Sequence, residues 1–180
     1  EVYLDLPWIG RLRTPSLIDG EPDPQDGLAR WHLWKRSQCT QSEAIWKGLE
    51  DLSGVVSLGL EGNTLYLAGE IRDDDPNPPL GAEQPWTGDA VELFLDLRTE
   101  GQGSPNYGPG VFQIFLSPSS VEVPGGRIAL WQPVVRELKE AEFAFRDREG
   151  GYAFEARIPL TVFGINHLEP GRMIGCDVVL

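Results

Sequence analysis

The residues best able to bind a ligand fall between positions 72 and 113. Trp86 stands in Gln84-Pro85-Trp86-Thr87-Gly88-Asp89, a turn-forming segment just before a strongly alternating stretch. A tryptophan held at a strand entrance offers its ring to a flat ligand, and a sugar presents an apolar C–H face to such a ring. Glu92 and Gln113 lie on the polar faces of two stretches expected to be neighbouring strands. Their carboxylate and amide supply the acceptors and donors that sugar hydroxyls need. Arg72, on the polar face of another strand, is a fourth candidate ligand residue.

The acids suggest a second chemistry. Asp73-Asp74-Asp75 follows an alternating stretch, and Asp19, Asp23 and Asp26 crowd the segment from Asp19 to Gly27. Hard oxygen donors in a loop suit Ca²⁺, which takes six to eight of them at ~2.3–2.6 Å. Asp19, Asp23, Asp73 and Asp74 are therefore the candidate metal ligands, although neither segment has EF-hand spacing. Asp at turns also has an ordinary role, accepting local backbone hydrogen bonds.

Enzyme signatures are missing. No phosphate-binding glycine loop, H-E-x-x-H, G-x-S-x-G or C-x-x-C occurs, and His32 and His167 are the two histidines. Glu92 and Asp96 share a strand face, yet four residues at ~3.3 Å each put their Cα atoms ~13 Å apart. Glycosidase carboxyls sit ~5–9.5 Å apart, so catalysis is not expected from this pair.

The elements that must position these residues are strands. Leu65, Leu67 and Ile71 alternate with Tyr66, Glu70 and Arg72. Val91, Leu93, Leu95 and Leu97 alternate with Glu92, Phe94 and Asp96, and Phe112, Ile114 and Leu116 with Gln113, Phe115 and Ser117. Tyr152, Phe154, Ala156 and Ile158 alternate with Ala153, Glu155 and Arg157. One apolar and one polar face per strand marks antiparallel sheets packed on one side. Breakers separate them at 73–85, 100–110, 118–127 and 149–151, the last as a tight hairpin. Helix is sparse: Ser42–Asp51 could form a short one, and Val134–Ala141 is helix or strand. Trp31, Trp34 and Trp46 are expected in the core, and Cys39 and Cys176 as separate thiols. The reading is an all-β antiparallel sandwich in one domain over 1–180.

Composition agrees. The 180 residues hold 21 Gly and 15 Pro, enough for many turns, and 41% hydrophobic residues, enough for a core. A net charge of −13 argues against nucleic acid or an anionic membrane as partner. No apolar run approaches the ~18 residues of a membrane span.

Several blocks together resemble carbohydrate-binding module family 9 and its DOMON-like relatives. They are Leu17-Ile18-Asp19-Gly20, Asn63–Leu67 leading into Arg72-Asp73-Asp74, Pro85–Asp96, Gln113-Ile114-Phe115, Tyr152–Leu160 and Gly171–Val178. The resemblance runs from about residue 15 to the end. It implies a non-catalytic, secreted or periplasmic sandwich that binds carbohydrate, often joined to a polysaccharide-degrading enzyme, with structural calcium. Trp86 matches one of two tryptophans that clamp the sugar, Glu92 a carboxylate that hydrogen-bonds it, and Gln113 a neighbouring position. Phe115 stands where binding members place an arginine. The second clamp tryptophan and a closing strand belong beyond the last strand matched. The expectation is thus a fragment, or a sheet completed by another segment or chain.

Two other readings follow. Phe94 and Phe115, as outward apolar residues, suit a structural module that packs on another domain or chain. Some DOMON-like relatives hold haem through Met and His or Lys; Met173 is the one methionine, His167 is too near it in sequence to oppose it and His32 could, which makes haem the weakest cofactor reading.

Overall fold

The computed structural model describes residues 9–25, 28–39, 45–77, 87–99, 106–118 and 123–180. Ten strands carry the fold: β1 (Ala29–Leu33), β2 (Leu52–Glu61), β3 (Thr64–Asp73), β4 (Val91–Asp96), β5 (Val111–Ser117), β6 (Arg127–Gln132), β7 (Arg136–Glu137), β8 (Glu142–Arg148), β9 (Gly151–Pro159) and β10 (Gly175–Val179). They form two five-stranded antiparallel sheets, ordered β1-β2-β3-β9-β8 and β10-β4-β5-β6-β7. Two short 3-10 turns, Arg36–Gln38 and Leu160–Phe163, accompany the strands.

The period-2 pattern decides what each strand buries. Leu65, Leu67 and Ile71 of β3 face Val91, Leu93 and Leu95 of β4 across one core, with Ile114, Leu116, Phe154 and Ile158. Every strand face expected to be apolar points inward. Burying side chains of this size is worth roughly 1.5–3 kcal/mol each, which fixes the register, since a one-residue slip would turn them to water. The hairpin at 149–151 joins β8 to β9 as expected. Its Gly151 has φ of 145°, and a Cβ there would sit 2.0 Å from the Ile71 carbonyl oxygen. Only glycine lets β9 approach β3 so closely.

Two local expectations are corrected. Residues 45–51 form turns, not the proposed helix end, because Asp51 Oδ2 accepts from the Lys47 amide and closes the chain there; the start of that helix lies outside the described residues. Trp34 is 46% exposed and stacks on His32 at 4.4 Å, beyond the end of β1, so it is not core. Trp31 does pack against the core, and Trp46 donates its indole N–H to the Leu52 carbonyl. Within 134–141 the chain makes the two-residue β7 and turns. Cys39 and Cys176 are unbridged; burial pushes the Cys176 thiol up to about 12, and it stays protonated.

The outer face of the first sheet is occupied by the chain itself. Gly10 and Leu12 pair with Leu60 at the end of β2, and the segment then crosses β3 and β9 to reach β8. Ser16 N–H donates to Glu61, the Arg157 guanidinium donates to the Ser16 carbonyl at 2.6 Å, and Asp19 N–H donates to Glu155 at 3.1 Å. Gly20 ends against the backbone of Phe145 and Arg146. Beneath this strap, the Tyr66 hydroxyl donates to Glu155 at 2.5 Å, and both residues are fully buried. Burial pushes the Glu155 carboxyl upward, while these hydrogen bonds hold it down.

Candidate functional site

With the first sheet covered, the second sheet's outer face carries the polar groups singled out by the sequence. Alternation points Glu92, Phe94 and Asp96 of β4 and Gln113, Phe115 and Ser117 of β5 away from the core. Antiparallel register sets Glu92 opposite Phe115 and Phe94 opposite Gln113. Glu92 and Gln113 are therefore diagonal neighbours, within reach of long side chains. Gln113 Nε2 donates to Glu92 Oε2 at 2.9 Å. Glu92 is half-buried; that burial pushes its carboxyl above the ordinary glutamate value, and the Gln113 hydrogen bond pulls partly back. The result is a positioned acceptor with a fixed orientation.

β6 adds an aromatic side chain that sequence reading left unassigned. Pairing runs Ser117 to Arg127, Leu116 to Ile128, Phe115 to Ala129 and Ile114 to Leu130, then shifts so that Gln113 faces Gln132. Trp131 is the extra residue of this bulge. Ile128 and Leu130 are buried in the core, so Trp131 lies on the outer face. Its ring meets Phe115 edge-on, with centroids 6.1 Å apart at 77°. The alternation of Ile128 and Leu130 with Ala129 and Trp131 was the available signal.

Phe115 is 3% exposed and Phe94 half-buried, so the expected outward apolar pair does not lie open on the surface. For Phe115 the reason is the contact with Trp131, so Phe115 no longer supports a packing module. The structure does not bring Arg72 to Glu92 and Gln113. It sits on β3 of the first sheet, on that sheet's outer face, and pairs with Glu50 at 2.6 Å. The sandwich separates it from Glu92 and Gln113. Trp86 lies outside the described residues.

Asp96 does not form a carboxylate pair with Glu92. Arg98 holds both its oxygens, at 2.8 and 2.6 Å.

The acidic segments separate by environment. Asp19 Oδ1 accepts from the Glu21 amide, and its carboxylate lies 3.6 Å from Arg146; Asp23 Oδ2 accepts from the Leu17 amide. These carboxylates already have partners and close the strap, which makes them a poor fit to calcium. Asp26 lies outside the described residues. Asp73 is 5% exposed, at the end of β3, and accepts from the Asp75 amide at 3.0 Å. Burial, with Asp89 and Asp74 nearby, raises its carboxyl to about 6. Asp89 in turn accepts from the Asn77 amide and donates its own N–H to the Asn77 carbonyl. Two close carboxylates in a desolvated spot fit a hard cation in donor chemistry and charge. No group of three metal-ligating side chains forms among the described residues. The residues weighed for haem are scattered: Met173 is 66% exposed, His167 bonds Glu169 at 2.6 Å, and His32 stacks on Trp34.

The family described as carbohydrate family 9 binding domain-like matches residues 25–180, and the chain belongs to it. Two solved structures share the fold, both of a carbohydrate binding module family 9 from Caldicellulosiruptor kristjanssonii. One, in complex with cellotriose, superposes with a TM-score of 0.63 at 20% identity, covering 94% of this chain and 74% of that one. The other, in complex with glucose, gives 0.64 at 20% identity over 94% and 75%. No curated protein matches the chain significantly. No described helix is long and apolar enough to cross a membrane.

Proposed function

We propose that this chain is a non-catalytic carbohydrate-binding module whose ligand lies on the outer face of the second sheet. The observation that carries the reading is the Glu92–Gln113 pair, a donor and acceptor fixed by strand register in a chain of this family. Glu92 accepts from sugar hydroxyls, and Gln113 holds that carboxylate and presents its own amide. Trp86, from the segment preceding β4, supplies a stacking ring. Glucose-configured oligosaccharides are the proposed ligand class, supported by the glucose and cellotriose held by the two structures of similar fold. Attachment to a polysaccharide-degrading enzyme outside the cell is the proposed setting.

Ca²⁺ is proposed at Asp73 and Asp89, with Asp74 beside them, where it would neutralise carboxylates that now repel one another. Its role there is to secure the segment that leads into β4 and the binding face.

Calorimetric titration of glucose, cellobiose and xylo-oligosaccharides into wild type and Trp86→Ala tests the reading. Binding of at least one sugar, weakened in the variant, is expected. No heat from any sugar would overturn the function, and equal binding by both proteins would remove Trp86 from the site.

A further inference from the structure

Trp131 has a setting that core packing alone does not explain. A strand that only needed to cover the core would continue its register past Leu130. Instead β6 gains one residue opposite Gln113, and that residue is a tryptophan. Bulges re-aim side chains, and this one turns the largest side chain type onto the face that carries the Glu92–Gln113 pair. The ring is also braced. Phe115, buried to 3% exposure, meets it edge-on at 6.1 Å, the arrangement preferred by aromatic pairs. Trp131 itself stays half-buried, with part of its surface open.

Position completes the pattern. β4 and β6 flank β5, and Glu92 lines up with Phe115 and Ala129, so Trp131 stands two strand spacings across and two residues along from Glu92, roughly 12 Å away. Gln113 lies between them. A polar centre with an aromatic wall on its flank is how sites for amphipathic small molecules are built. A pyranose has that character: hydroxyls around its rim and C–H groups on its faces.

We infer that Trp131 is a specificity-determining wall of the sugar site, taking the C–H face of a pyranose whose hydroxyls reach Gln113 and Glu92. This rests on the carbohydrate-binding reading above. It assigns the site a preference for sugars with an uninterrupted apolar face, and gives the β6 bulge a purpose in recognition.

The test is a titration of cellobiose followed through indole N–H resonances in ¹⁵N-labelled protein. The signal missing from Trp131→Phe identifies the Trp131 indole. That signal is expected to shift in wild type as cellobiose is added, and Trp131→Ala is expected to bind about tenfold more weakly with Trp131→Phe in between. The milder variant keeps a ring against Phe115, so a folding defect in the alanine variant does not decide the outcome. If cellobiose shifts other resonances while the Trp131 signal stays fixed, and Trp131→Phe binds like wild type, the wall is overturned and the module's function stands. If no resonance shifts with cellobiose, glucose or xylobiose, the carbohydrate-binding reading fails, and this inference with it.

Discussion

Gln113 donates its side-chain amide to Glu92 at 2.9 Å from a diagonal position on the next strand, on the sheet opposite the one the chain's own strap crosses. The strand pairing that holds the core together also aims this polar pair. Glu92 is half-buried without an ionic partner among the described residues, and that burial raises its carboxyl.

That relationship fixes a pH response. Sugar hydroxyls donate to the carboxylate, so affinity should be level near neutrality and fall as pH drops through the raised Glu92 value. In Gln113→Ala the bond that pulls the carboxyl down is gone, and the fall should begin at higher pH. Stability moves the other way: a raised carboxyl contributes stability below its ordinary value and loses it as pH rises through the folded one. Glu92→Gln should therefore keep or raise the melting temperature at pH 7 while weakening sugar binding roughly 10- to 100-fold, the cost of losing hydrogen bonds to a charged group. Dissociation constants and melting temperatures measured from pH 4 to 8 check both signs.

Asp73 gives a second, separable pH effect. Its carboxyl rises from 3.8 to about 6, so its contribution is fully present below 3.8 and is lost as pH climbs through 6. Asp73→Asn keeps an acceptor for the Asp75 amide and should be more stable than wild type at pH 7, by up to about 3 kcal/mol, with no difference near pH 3.5. Added Ca²⁺ should raise the melting temperature of wild type at pH 7 and leave the variant unmoved. Equal melting of wild type with Ca²⁺ and with chelator would remove the proposed cation.

Tyr66 and Glu155 anchor the strap. Tyr66→Phe removes one of the hydrogen bonds to a fully buried carboxylate and should cost about 1–3 kcal/mol in chemical denaturation. Sugar affinity should be unchanged, because this pair lies on the opposite face from Glu92.

The sandwich was legible because alternation is strict where one face is buried: Leu65, Leu67 and Ile71 could only point one way. Glu92 and Gln113 were legible for the same reason, since two outward polar residues on neighbouring strands must meet if the register allows. The distance of Arg72 from that pair was not legible, because alternation tells inward from outward but not which of two sheets a strand joins. Asp19 and Asp23 looked like free donors because their partners, Arg146 and the Leu17 and Glu21 amides, are set by the strap's path over β8 and β9 and by its own turn. Trp131 escaped notice because a bulge depends on the pairing of two strands, which neither strand's own sequence displays.

The most direct test is calorimetric titration of cellotriose into wild type and Glu92→Ala at pH 7, with melting curves for both. Recognition through this face requires saturable binding by wild type and at least tenfold weaker binding by a folded Glu92→Ala. Equal affinity in the two folded proteins would contradict it.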